Sequence, residues 1–275
     1  MAGTLYVVAT PLGNLSDLSP RAAETLRSVT VVAAEDTRHS KPLLVHAGST
    51  AELLSFHAHS SDGDLRRILD LLGTGKDVAL ITDAGTPGVS DPGARLVAAA
   101  RERDYPVVTI PGPTAVAAAL AVSGLSADRY TFLGFLPRKG GDRTRLLQQI
   151  AQSEWTVVVF EAPNRAAELL KDLADACGGE RQAVVAREMT KVFEEARGGT
   201  LLDLAGYYEE APVRGEVTIV IAGAGKQAPS APPPDLEERA RRLLLEGLSR
   251  KDAAHRLAEE TGVSRNTAYR VVNEL

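Results

Sequence analysis

Up to about residue 225 the chain repeats one pattern, a short β-rich apolar run followed by an amphipathic segment. LYVVAT precedes PRAAETLRSV, TVVAAED precedes DGDLRRILDLL, DVALITD precedes GARLVAAARER, and PVVTIPG closes the series. That alternation constrains the fold more than any other feature. It predicts βα units and a largely parallel sheet covered by helices. A second series follows, with YTFLGF, TVVVFEAP, RQAVVARE and EVTIVIAG as strands and NRAAELLKDLADA as a helix between them. The boundary is expected within residues 112–125, which gives a first α/β domain over 1–118 and a second over 119–225.

The segment AGKQAPSAPPPD carries four Pro among small residues and reads as a semi-rigid linker, taken as 226–235. Beyond it, residues 236–275 have helical periodicity. Ser249 followed by Asp252 resembles a capping box with Asp in place of Glu, and Ser264 reads as an N-cap. With Thr261-Gly262-Val263 as a tight turn between helices, this is the layout of a helix-turn-helix exposing Arg265, Asn266, Thr267 and Arg270. A plain helical hairpin that only packs is the alternative.

Charge and composition narrow the classes of partner. The net charge of −5 gives no general attraction to nucleic acid, so any such binding must come from local patches. Residues 236–275 hold eight Lys and Arg against seven Asp and Glu, a less acidic balance than the rest. The apolar runs, such as LYVVA and VTIVIA, fall far short of the ~20 residues that cross a bilayer. The N-terminus enters a strand at once, without a basic region or cleavage signature, so a cytoplasmic protein is expected. Cys177 is the only cysteine, which excludes an intramolecular disulfide and a Cys-based zinc site within one chain. His57-Ala-His59 has no further His or Cys cluster beside it, and no metal site is expected.

The stretch DAGTPGVSDPG, residues 83–93, packs three Gly, two Pro and two Asp behind an apolar run. A strand ending near Thr82 delivers Asp83 to the carboxyl edge of a parallel sheet, where open α/β folds bind ligands. Gly85, Gly88 and Gly93 permit positive φ and close approach, while Pro87 restricts the loop. Asp91 as N-cap and Pro92 at the first helical position account for the second half of the stretch. The first half, DAGTPG, reads as a cradle for a small molecule. It is not a phosphate loop, since GVSDPGAR has Ala-Arg where Lys-Ser/Thr is required, and no G-x-G-x-x-G follows the first strand. A second Pro-Gly element, IPGPTAVAAALAVSGL, leads into small residues that let either a ligand or another helix approach.

Taken in order, ATPLGNLSDLSPRA, AAEDTRHS, DAGTPGVSDPG, PGPTA, GFLPRKG, FEAPNR and REMTKVFEE closely resemble the tetrapyrrole methylase superfamily. Within it the combination resembles the branch that methylates small-subunit ribosomal RNA. The resemblance covers nearly the whole chain. It implies two α/β domains with S-adenosylmethionine in the cleft between them, a small C-terminal all-α module, a homodimer, and methylation of a cytidine ribose 2′-hydroxyl in the decoding region. By similarity the cofactor lies against Pro11, Asp83, Gly85, Thr86, Val89, Thr114, Ala115, Phe160, Glu161 and, more weakly, Gly215 and Glu216. Asn164 stands in FEAPNR where the family often has His, which argues against a His-dependent role there.

Transfer of a methyl group to oxygen depends mainly on in-line positioning, and a general base adds to it. Glu35, Asp36, Glu161, Glu188 and Lys191 are candidates, with Glu35, Asp36 and Lys191 placed first and Lys191 requiring a lowered pKa. Asp36 or Thr37 as a helix cap is the competing reading of AAEDTR. Arg38, Arg138, Lys139, Arg143, Arg145, Arg165 and Arg187 are candidates for RNA phosphates, four of them in the basic stretch LPRKGGDRTR. Two other functions stay open: a tetrapyrrole or corrinoid C-methyltransferase, and a helix-turn-helix regulator whose α/β body senses a nucleoside.

Overall fold

The structure, a computed structural model, describes residues 2–91, 93–211, 215–225, 236–261, 265–273 and 275. The chain forms two compact units, Met1–Ala224 and Gly225–Leu275. The first begins with β1 (Leu5–Val8), α1 (Pro20–Ser28), β2 (Val31–Ala34), α2 (Thr37–Ala47), β3 (Glu52–Ser55), α3 (Asp62–Gly73), β4 (Val78–Ile81), α4 (Gly93–Arg101) and β5 (Val107–Ile110). These strands form one sheet in the order β3-β2-β4-β1-β5, and every pairing is parallel. Their residues alternate between two cores. Leu5, Val31, Val78 and Leu80 meet Ile68, Leu72 and Leu96 of α3 and α4. Val8, Val32, Ala79 and Ile81 meet Leu26, Leu43 and Leu44 of α1 and α2. Helices on both faces explain why the central strands are apolar at every position.

The chain continues with α5 (Ala115–Ser123), β6 (Tyr130–Phe135), α6 (Gly141–Gln152), β7 (Thr156–Glu161), α7 (Ala166–Cys177), β8 (Gln182–Arg187), β9 (Glu195–Thr200), α8 (Leu201–Glu210) and β10 (Val217–Ile221). The second sheet runs β6-β7-β10-β8-β9. Here only β6 and β7 are parallel; β10 is antiparallel to β7 and to β8, and β8 to β9. The largely parallel expectation thus describes the first sheet, whereas the second is mixed. The 188–194 loop between β8 and β9 is too short for a parallel crossover. Strand β9 reads EARGGT, and its glycines and charges hide it from a composition-based reading.

Helices α6, α7 and α8 cover one face of this sheet through Ile150, Leu169, Leu173, Leu204 and Tyr208. Helix α5 covers part of the other, with Val116, Ala119 and Leu120 against Val158, Val184 and Val220. The boundary read at 118/119 therefore falls inside a helix that packs on the second sheet, and the crossover lies in residues 111–114. The basic stretch is also not one loop: Arg143 and Arg145 lie on α6.

The second unit contains α9 (Leu236–Leu245), α10 (Arg250–Thr261) and α11 (Arg265–Asn273) around Leu236, Leu243, Leu257, Ala268 and Val272. Ser249 Oγ accepts from the Asp252 N–H at 3.2 Å and donates to Asp252 Oδ2 at 2.6 Å, so the cap forms with Asp in that position. The readings of Pro92, the linker 226–235, the turn at Gly262 and Val263, the cap at Ser264 and the side chains of Arg265, Asn266, Thr267 and Arg270 lie outside the described residues. No described helix is long and apolar enough to cross a membrane.

Candidate active site

The loops at the carboxyl edge of the first sheet are tied to one another. After β1, the Thr10 N–H donates to Gly85 O at 2.8 Å, the Gly85 N–H donates back to Thr10 O at 3.1 Å, and Thr10 Oγ1 reaches Thr82 O at 3.1 Å. Both backbone groups of Gly85 are thus engaged by Thr10, with Gly85 at φ +88°. After β2, the Asp36 N–H donates to Asp83 Oδ1 at 3.1 Å, and His39 Nδ1 lies 3.3 Å from Asp83 Oδ2. Thr82 Oγ1 donates to Glu35 Oε2 at 2.7 Å. Thr86 Oγ1 donates to Pro113 O at 3.1 Å, joining DAGTPG to the segment after β5. Asp91 Oδ1 accepts from the N–H groups of Gly88 and Gly93, both at 2.7 Å, which closes SDPG onto the start of α4.

These loops face the ends of β6, β7, β8 and β10 across a cavity of about 690 Å³, a size suited to a small-molecule ligand. Asp83, Gly85, Thr86, Val89, Thr114, Ala115, Phe160, Glu161, Gly215 and Glu216 line it. Pro11 is buried, and its neighbour Leu12 takes the place at the wall. The ionisable groups of the wall are Glu35, Asp83, Asp91, Glu161, Glu216 and Lys191. Thr114 makes no side-chain cap on α5, so the first-turn N–H groups of that helix add positive partial charge to this corner.

Glu35 and Lys191 line the cavity, and Asp36 does not. Asp36 is the N-cap of α2; it accepts from the Arg38 N–H at 2.8 Å and pairs with Arg38 Nη2 at 2.7 Å. That bond from the Arg38 side chain holds its carboxyl well below the usual carboxylate range, which corrects its reading as a base. Lys191 is corrected as well. Burial works against its charge, but Glu188 Oε1 at 3.0 Å and Glu216 Oε2 at 3.6 Å outweigh burial and raise its pKa. It is a cation bridging two carboxylates, and its stem passes so close to the N-terminal loop that a Cβ on Gly13 would stand 2.5 Å from Lys191 Cγ.

Three of the arginines read as RNA contacts are engaged by partners within the protein, Arg143 buried and Arg165 and Arg187 partly so. Arg143 pairs with Asp172 at 2.5 Å and donates to Pro137 O at 2.9 Å. Arg165 reaches the fully buried Glu161 side chain at 3.0 Å, and Arg187 Nε donates to Glu195 at 2.7 Å. Arg38, Arg138 and Lys139 are exposed, while Arg145 lies 3.1 Å from Asp142. Phe135, Met189, Ser90 and Leu12 also line the cavity and were not singled out from sequence. GFLPRKG drew attention to its basic residues, and nothing in local spacing marks Phe135. Among the described residues no group of three His, Cys, Asp or Glu is placed to hold a metal ion.

Comparison with known proteins places this geometry in a family. Residues 4–205 match the family described as Tetrapyrrole (Corrin/Porphyrin) Methylases, and residues 230–275 match the RsmI C-terminal HTH domain. The chain is 46% identical over 274 residues to the ribosomal RNA small subunit methyltransferase I of Synechocystis sp., covering 99% of this chain and 98% of that protein. The enzymes of the same name from Xylella fastidiosa and Pseudomonas aeruginosa are 47% and 46% identical, covering 97% and 98% of this chain and 98% and 96% of theirs. Solved structures share the fold at lower identity. One is the cobalamin biosynthetic enzyme cobalt precorrin-4 methyltransferase, with a TM-score of 0.62 at 18% identity over 80% of this chain and 95% of that one. Another is uroporphyrin-III C-methyltransferase from Thermus thermophilus, complexed with S-adenosyl homocysteine, at 0.59 and 20% over 81% and 98%. The chain belongs to the tetrapyrrole methylase family, within the group of the ribosomal RNA small subunit methyltransferases I.

Proposed function

We propose that this protein is an S-adenosylmethionine-dependent methyltransferase of small-subunit ribosomal RNA, acting on the ribose 2′-hydroxyl of a cytidine in the decoding region. The observation that carries the reading is near full-length identity of 40–47% with relatives that bear the name. The cavity supports it. Five carboxylates and one lysine on the wall suit a ligand carrying a sulfonium and an ammonium and disfavour a polyphosphate. The uncapped start of α5 beside Thr114 and Ala115 suits the ligand's single carboxylate. Asp83 acts by holding the loops after β2 and β4 in register through Asp36 and His39.

When bound, S-adenosylmethionine would supply a sulfonium methyl group to an oxygen nucleophile in line with the C–S bond, the neutral thioether of S-adenosylhomocysteine being the leaving group. The residues of this chain contribute position first, since alignment of two bound partners is worth up to ~7 to 11 kcal/mol. Glu35, held by the Thr82 hydroxyl at 2.7 Å, takes up the proton of the attacking hydroxyl. Arg38, Arg138 and Lys139 hold phosphates at the rim. The protein works in the cytoplasm as a homodimer.

The test incubates the protein with labelled S-adenosylmethionine and small ribosomal subunits from a strain lacking the enzyme, then maps the modified nucleotide. Label on a cytidine ribose of the decoding region is expected. Label absent from RNA, or carried to a tetrapyrrole offered instead, overturns the reading. Asp83→Asn and Thr114→Val are each expected to weaken cofactor binding about tenfold, roughly 1.4 kcal/mol, measured by calorimetry; unchanged affinity in both removes the assignment of this loop.

A further inference from the structure

Phe135 stands in the cavity wall with 57% of its surface exposed. Its direction results from a break in the strand. Strand β6 pairs regularly with β7 as far as Phe132 opposite Val158, but Phe135 is opposite Phe160, so β6 accommodates one extra residue. Gly134 takes φ +63°, and a Cβ there would come 2.6 Å from Ser90 Oγ. In unbroken alternation Phe135 would share a face with Leu133, which packs into the core under α6 and α7. The bulge turns it to the other face, a recognised way of re-aiming a side chain. There the Phe160 ring lies between two others, 4.8 Å from Phe132 and 5.6 Å from Phe135, both edge to face. Phe132 and Phe160 pack against the core, and Phe135 ends the row at the cavity.

The chain runs directly from this ring into Arg138 and Lys139, both exposed. An outward aromatic ring beside cations is the arrangement that holds single-stranded nucleic acid, the ring stacking a base and the cations meeting the backbone. We infer that Phe135 is the stacking platform for the unpaired base of the nucleotide to be methylated, with Arg138 and Lys139 on its flanking phosphates. The assignment rests on the RNA methyltransferase reading above. The cofactor's own adenine is the competing occupant, since Phe135 shares the cavity wall with Asp83 and Glu161, and the affinity for S-adenosylhomocysteine separates the two.

The experiment compares Phe135→Ala, Phe135→Leu and Phe135→Trp with the wild type, measuring KM for small subunits, kcat, and affinity for S-adenosylhomocysteine. Stacking on an aromatic side chain predicts that the Ala and Leu variants raise the RNA KM about tenfold. The Trp variant should restore it, and all three should bind S-adenosylhomocysteine as the wild type does. The Leu variant keeps apolar bulk, so an effect of packing alone would leave it at the wild-type KM and overturn the assignment. Weakened S-adenosylhomocysteine binding with unchanged RNA KM would also overturn it and give the ring to adenine. A wild-type protein that transfers no methyl to RNA refutes the underlying reading instead, whereas wild-type transfer with unaltered KM in the Ala and Leu variants refutes this assignment alone.

Discussion

Arg138 and Arg143 belong to one basic stretch, yet their surroundings give them different work. Arg143 places Nε and Nη2 on Asp172 Oδ2 at 3.0 and 2.5 Å, and its side chain is 9% exposed. Removing it strands a partly buried carboxylate. Breaking such a pair costs roughly 3 to 5 kcal/mol when both partners are buried, and about 2 to 3 kcal/mol is expected here because Asp172 is 35% exposed. Arg143→Met should therefore lower Tm while the folded protein keeps its RNA KM. Arg138→Ala and Lys139→Ala should leave Tm unchanged, weaken RNA binding and flatten its salt dependence by about one unit of slope for each lost contact. Thermal melts and RNA titrations at two salt concentrations separate the two roles. A native Tm with weakened RNA binding in Arg143→Met would return that residue to the interface.

The seam between α8 and the second sheet joins a charged cluster to an apolar core. Glu195 accepts from Arg187 at 2.7 Å and from Arg197 at 2.9 Å, and the Arg197 guanidinium lies 3.8 Å from the centre of the Tyr207 ring. Behind it Tyr208 is buried, and its hydroxyl has no hydrogen-bond partner among the described residues. Burial first, and then the Glu195 charge, push the Tyr208 pKa up from 10 to about 12. A pKa raised on folding contributes stability that is fully present below the unfolded value and is lost as pH rises through the folded one. The seam should therefore hold at neutral pH and weaken between pH of about 10 and 12 as Tyr208 ionises. Tyr208→Phe removes an unpaired hydroxyl, so its Tm at neutral pH should equal or exceed that of the wild type, and its decline over the alkaline range should be shallower. Parallel alkaline limbs in melts of the two proteins would contradict this origin.

At the scale of the whole molecule, the described wall of the cleft is built from residues of the first unit. Every described residue of its wall lies before position 219, and the second unit has an apolar core of its own. A chain ending at Ala224 is accordingly expected to fold and to bind S-adenosylhomocysteine with the affinity of the full protein. Its affinity for small ribosomal subunits should fall, because the helix-turn-helix module is gone. Calorimetry with the cofactor product and titration with subunits check the two halves of this expectation. Loss of cofactor affinity on truncation would mean that the cavity depends on residues beyond Ala224.

Short continuous apolar runs set between amphipathic segments were enough to identify the α/β architecture, because each central strand must bury two faces and each helix one. Gly, Pro and Asp in DAGTPGVSDPG marked a shaped loop, which lines the cavity, for a similar reason, since backbone geometry of that kind is encoded by the residues that adopt it. Long-range partnership has no such local signature. The use of both Gly85 backbone groups by Thr10, the burial of Arg143 against Asp172 and the charged state of Lys191 between Glu188 and Glu216 each depend on residues brought together by folding. The same holds for Asp83, whose carboxylate spans the loops after β2 and β4. Strand β9 was hidden because its neighbour β8, rather than its own composition, makes it a strand. Phe135 shows the division most clearly: its type and place in GFLPRKG are plain in the sequence, but a single extra residue in the pairing of β6 with β7 turns it from the core to the cleft.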